Sequence, residues 1–209
     1  MSDAPTQTAM VTAQASLWIA SITIWVAALT PQFFRVWMGA SDSLDVVAQH
    51  AALWRVNALF FLVGAVATLV GCVLVFASEH GPLASSALVL LTIATALWAM
   101  SLAVRMSVVP DVALHRSPQA DSLLAMLQSV AAAAWGVAAV LLILAWVGIG
   151  AEVLTSAMLP AWVGWVCLGW SALAAVWYIA TRDMPPIIVY LPVLPLAVAV
   201  TVDAVKGTR

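Results

Sequence analysis

From Asp121 to Glu152, and again from Glu152 to Arg182, no charged side chain interrupts the chain. A helix needs about 20 apolar residues to cross roughly 30 Å of hydrocarbon, where every backbone N–H and C=O must be bonded without water. Uncharged runs longer than this leave few other folds. Overall, 65% of the 209 residues are hydrophobic and 8% are charged, against about a quarter charged in a soluble domain. A membrane-spanning barrel would show segments of about ten residues alternating apolar and polar, whereas these runs are apolar on both faces. The fold class expected is an all-α integral membrane bundle.

Charge, Pro and Gly clusters divide the chain. Six transmembrane helices are predicted within a single transmembrane domain covering 1–209, over about 15–37, 51–77, 83–108, 122–147, 158–180 and 185–202. Pro31 falls near the end of the first, and "SEHGP" stops the second. "PDVALHRSPQAD" after the third is expected to be a polar connector. The sixth begins with Pro185 and Pro186, where a missing N–H costs little. Its interior carries Pro192 and Pro195, each of which removes a backbone bond, so a kink is expected near Leu191. The opening "MSDAPTQTAMVTAQAS" has no Lys or Arg and does not read as a secretory signal, so it is expected to be retained.

An even number of spans puts both termini on one side. The other side then receives Arg35, Arg55, Arg105, Arg116 and Arg182, and the terminal side keeps Lys206 and Arg209. Positive residues in short loops stay cytoplasmic, so both termini are expected outside a bacterial cell membrane.

Several function classes lack the residues they need. A net charge of −2 with no polybasic run offers no grip on nucleic acid. Cys72 and Cys167 are isolated thiols in apolar segments. His50, His80 and His115 lie at or beyond helix ends, with no metal-ligand spacing and none of the mid-span positions that haem ligation requires. No metal site is predicted and no cofactor is assigned. No nucleophile elbow or phosphate-cradling Gly loop occurs either, which disfavours an enzyme.

The segment "ALWRVNALFF" sets Arg55 and Asn57 in otherwise lipid-soluble sequence. Arg55 lies about 6 Å outside the hydrocarbon core at roughly 1.5 Å per residue, within snorkelling reach of the headgroups, and Arg35 and Arg105 fall at similar depth. The favoured reading is an anchoring ring. The alternative is a polar inner-face cluster of Arg35, Asp42, Asp45, His50, Arg55, Asn57, Arg105, Asp111 and His115, joined by Arg116 and Asp183.

Of the eleven tryptophans, Trp18, Trp146, Trp162, Trp37, Trp54 and Trp177 fall near one interface or the other, where amphipathic indoles collect. Trp25, Trp98, Trp135 and Trp170 lie nearer mid-depth. They either pack or hold a hydrophobic ligand. Small residues recur on single helical faces: Gly64, Thr68 and Gly71; Ser129, Ala132, Gly136 and Ala139; Gly164, Cys167 and Ser171. Such faces let backbones approach, within one chain or against a partner membrane subunit or second copy.

The stretch "LPAWVGWVCLGWSALAAVW", residues 159–177, together with the six-span plan, resembles a broad group of uncharacterised polytopic membrane proteins of high-GC bacteria. The resemblance implies the fold class and brings no activity or site residues. Two functional expectations follow. The first is a non-enzymatic membrane protein that binds or transports a small or lipidic molecule, or is the membrane subunit of a larger complex. The second is an enzyme acting on a lipid headgroup at the inner face, with His50 or His115 as acid/base and Arg55 and Arg105 on phosphate.

Overall fold

The computed structural model describes residues 4–37, 43–76 and 81–207, with the side chains of 4–7, Arg35 and 205–207 outside the described set. Among the described residues every regular element is an α-helix: α1 (Ala4–Ala28), α2 (Pro31–Trp37), α3 (Ser43–Gln49), α4 (Ala51–Phe76), α5 (Pro82–Leu114), α6 (Pro118–Ser156), α7 (Ala161–Thr181), α8 (Pro186–Tyr190) and α9 (Val193–Gly207). Six stretches are long and apolar enough to cross a membrane: α1, α4, α5, α6, α7, and α8 with α9 taken together. They close into a ring in which α1 packs on α4, α4 on α5, α5 on α6, α6 on α7, and α9 returns to both α7 and α1.

Small residues set how near these neighbours come. A Cβ added at Gly164 would lie 2.8 Å from the Gly150 carbonyl oxygen, and one at Gly150 would lie 2.9 Å from that of Gly164. The α6 and α7 backbones therefore touch, an approach that any side chain at either position would prevent. Gly64 and Gly71 receive Ile24 and Leu17 of α1 in the same way. The small stripe of α6 is closed only in part, since Ser129 and Ala132 are exposed while Ala139 is buried.

Proline shapes the rest. A proline within a helix leaves the carbonyl four residues earlier without its N–H partner, and such a group in a low-dielectric interior costs about 1–3 kcal/mol if nothing replaces the donor. Pro31, after α1, frees the carbonyl of Ala27. Asn57 Nδ2 of α4 donates to it at 2.8 Å, beside a long 3.5 Å bond from Thr30 N. Pro110 lies inside α5 and frees the carbonyl of Met106, to which Arg55 Nε donates at 3.3 Å. Pro192 frees the carbonyl of Ile188, which accepts from Trp170 Nε1 of α7. The fourth case is local: the Leu191 carbonyl freed by Pro195 accepts from Leu194 N at 3.3 Å. The expected kink falls at 191–192, where α8 gives way to α9, and Trp146 Nε1 steadies its rim by donating to the Val189 carbonyl at 2.8 Å.

These donors explain where helix boundaries depart from expectation. The third span does not end at Val108, because Arg55 compensates Pro110 and α5 continues to Leu114. The connector that follows shortens to His115–Ser117, with Ser117 Oγ accepting from Ala120 N as the N-cap of α6. The first span instead breaks at Pro31, and 31–37 turn away as α2.

α6 runs past Val147 to Ser156 and carries the buried Glu152, whose Oε2 accepts from Ala84 N in the first turn of α5 at 3.1 Å. Gly81, the N-cap of α5, has no side chain to cap that turn, so a carboxylate from the neighbouring helix does so and also meets the positive end of the helix dipole. A Cβ at Gly81 would lie 2.6 Å from Glu152 Oε2.

Three outcomes are expected. Trp170→Phe should cost about 1–3 kcal/mol of stability in detergent, and much of that cost should vanish in a Pro192→Ala background, where residue 192 supplies its own N–H. A double-mutant cycle measures this coupling. Arg55→Leu should cost less, within about 1 kcal/mol, because its carbonyl and ion pair are open to solvent, and Pro110→Ala should mask it similarly. Glu152→Ala should lower the thermal midpoint more than Glu152→Gln, which keeps an acceptor oxygen for Ala84 N.

Candidate ligand cavity at the arginine-rich end of the bundle

The ends of α4, α5 and α6 that carry the arginines enclose a cavity of about 380 Å³. α2 and α3 form one wall and the turn before α8 forms another, with Trp37, Ser43, Trp54, Arg105, Gln128 and Asp183 as the polar and aromatic lining. Three of these groups, Trp37, Trp54 and Asp183, are positioned by bonds of their own. Trp37 Nε1 donates to Asn57 Oδ1 at 2.9 Å, so the same amide that caps α1 also holds α2. Trp54 Nε1 donates to the Arg105 carbonyl at 2.7 Å. Asp183 Oδ1 accepts from Met184 N at 2.8 Å, which orients its carboxylate at the start of the last span.

The cavity floor is aromatic. Trp37 packs on Trp54 and Phe61 with ring centroids 5.1 and 4.9 Å apart. Trp98 lies beneath and meets Trp135 at 4.0 Å. Over this floor the Arg105 guanidinium carbon sits 4.6 Å from the Trp37 ring centroid, a cation–π contact. No hydrogen-bond acceptor among the described residues reaches that guanidinium, and its Nε is buried without a partner. Trp98 Nε1 and Ser101 Oγ are also buried and unpartnered. With Arg105 they occupy positions i, i+3 and i+7 of α5, so one helical face carries three unsatisfied polar groups from the cavity into the core.

No other described member of the predicted cluster lines the cavity except Asp183. Asp42 and the Arg35 side chain fall outside the described residues. Arg55 points away from the cavity and pairs with Asp111 at 2.7 Å; those side chains are 45% and 67% exposed, which makes the pair weak. Asp45 pairs with Arg116 at 2.7 Å, tying α3 to the turn between α5 and α6. His50 is exposed, and so is His115, whose Nδ1 lies 3.2 Å from the Asp111 carbonyl. Neither histidine lines the cavity. No group of three or more metal-binding side chains occurs among the described residues.

Of the mid-depth indoles, Trp98 and Trp135 pack on each other, while Trp25 and Trp170 lie in other contacts. Trp135 Nε1 donates to the Met184 carbonyl at 2.8 Å, Trp170 serves Ile188, and Trp25 faces a closed crevice against α8 with Ser21 and Tyr190. Trp37 and Trp54, expected in the interfacial belt, line the cavity instead. Sequence reasoning also passed over Ser43 and Gln128. Gln128 had a legible signal as a lone amide in the apolar run of α6.

No protein-family model, curated protein or solved structure matches the chain.

Proposed function

We propose that this polytopic membrane protein is non-enzymatic and holds a small or lipidic molecule in the cavity at its arginine-rich end. That end faces the cytoplasm of a bacterial cell, with both termini outside, in keeping with five arginines against two basic residues at the other end. The observation that carries the proposal is Arg105. An arginine held among helices in lipid pairs with another group or marks a binding path, and this one lines an open volume with no hydrogen-bond partner among the described residues. At about 380 Å³ the volume falls within the range of roughly 300–1,000 Å³ in which small-molecule sites are found. A role as transporter or as membrane subunit of a larger complex would use this cavity as its binding stage. The headgroup-enzyme alternative has less support, because His50 and His115 are exposed outside the cavity and Arg55 faces away from it.

Purification in mild detergent followed by mass spectrometry of retained molecules tests the proposal. The wild-type protein should retain an amphiphile or small anion. Ala132→Trp, which fills the wall with an indole without removing a polar group, should lose it while keeping its thermal midpoint within a few degrees. A wild-type protein that retains nothing, or an Ala132→Trp variant that retains the same molecule, would sink the proposal.

A further inference from the structure

The cavity contains two charges that do not meet. Among the described residues its charged side chains are Arg105 and Asp183, and the ion pairs that form are Arg55 with Asp111 and Arg116 with Asp45, both outside it. Two opposite charges lining one small space gain by closing on each other unless something between them keeps both engaged. Each makes other contacts instead. The Arg105 guanidinium carbon lies 4.6 Å from the Trp37 ring centroid, and the backbone carbonyl of the same residue accepts from Trp54. One oxygen of Asp183 is held by Met184 N.

On the basis of the binding role proposed above, we infer that the cavity receives a zwitterion: a phosphate ester on Arg105 and an ammonium on Asp183, the chemistry of a phosphoethanolamine group. The Arg105 guanidinium carbon stands 4.6 Å from the Trp37 ring centroid, with Nε unpartnered. The side chain lines the cavity, and a guanidinium is the group that grips phosphate oxygens by parallel bonds. A ligand carrying only negative charge would be repelled by Asp183, and one carrying only positive charge by Arg105. Gln128 and Ser43 offer an amide and a hydroxyl for the remaining ester oxygens.

The volume suits a headgroup rather than a whole lipid. It adjoins a more open groove of about 210 Å³ that shares Leu44 and Gln128 and adds Leu124, Ala125 and the charged Arg116 and Asp121, room for the part of a longer amphiphile next to its headgroup. The same chemistry could come from a lipid headgroup or from the free soluble zwitterion.

The test is native mass spectrometry of the protein in nanodiscs containing dioleoyl phosphatidylethanolamine or dioleoyl phosphatidylglycerol, with free phosphoethanolamine as a competitor. Wild type should bind the ethanolamine lipid about tenfold better than the glycerol lipid. D183N keeps an oxygen for Met184 N, so it should fold; it should bind the ethanolamine lipid about tenfold more weakly and the glycerol lipid no more weakly than wild type. R105Q should lose both lipids, and R105K, which keeps the charge that supports folding, should lose most of the binding because an ammonium lacks the planar fork. Competition by free phosphoethanolamine would identify the soluble source; binding of the lipid without such competition would identify the membrane source. Equal binding of the two lipids by wild type and D183N would overturn the zwitterion and leave the binding role standing. Retention of some other molecule, with neither lipid nor phosphoethanolamine bound, would do the same. Only the loss of every ligand from the wild-type cavity would remove both.

Discussion

Three carbonyl oxygens, those of Ala27, Met106 and Ile188, lose their helical partners to Pro31, Pro110 and Pro192, and each is met by a side chain from a neighbouring helix: Asn57, Arg55 and Trp170. In a soluble protein water would perform this task at little cost. Within a bundle built to exclude water, an unmet carbonyl such as that of Ala27 or Ile188 opposes the fold by about 1–3 kcal/mol, while that of Met106, open to solvent, costs less. The donors must therefore come from the chain itself, and supplying them fixes which helices are neighbours. Asn57 and Arg55 tie α4 to α1 on one side and to α5 on the other, while Trp170 ties α7 to the broken last span. The break at Pro31 lets α2 leave the line of α1, and Trp135 donates to the carbonyl of Met184 just before α8.

The cavity results from the same arrangement. Because Asn57 spends its amide on Ala27 and its carbonyl on the Trp37 indole, α2 is held with Trp37 facing the bundle axis. Arg105 then finds an aromatic face in place of a carboxylate. The Arg116–Asp45 pair secures α3 across the opening, and Val47 buries itself with Phe33, Trp54, Val109 and Leu124 in a small apolar cluster separate from the main core. A rigid wall, an aromatic floor and an unpaired cation thus share one cause, the need to satisfy backbone groups where α1 stops.

Much of the fold was legible because depth along a spanning helix follows from counting. The six spans, the antiparallel order and the break near Leu191 all come from apolar run length and proline position, quantities that need no tertiary information. The extent of α5 was not legible. Pro110 reads as a terminator until a donor from another helix is known, and Arg55 stands 55 positions away in sequence. Glu152 was hidden for a similar reason, since its role depends on Gly81 of a different helix having no side chain to cap α5. Rotation about each helix axis was the least legible quantity. Helices that are apolar on every face carry almost no amphipathic signal to say which side turns inward.

Arg55 and Arg105 show what that missing rotation decides. Trp54 and Arg55 bond the carbonyls of Arg105 and Met106, so the two arginines lie at one level, as counting predicts. Their surroundings nevertheless differ. Arg55 pairs with Asp111 at the exposed rim and completes a backbone bond, whereas Arg105 lies over Trp37 and lines the open volume. Depth was the basis for treating them as members of one ring, and depth alone assigns them the same task. The difference arises from the close contact of α4 with α5. The Trp54 indole occupies the inward position on α4 and leaves Arg55 only the rim, while on α5 the inward face passes through Trp98, Ser101 and Arg105 in succession. Whether a charged residue at this level stays at the rim or lines the cavity thus depends on which large neighbour has already filled the space beside it.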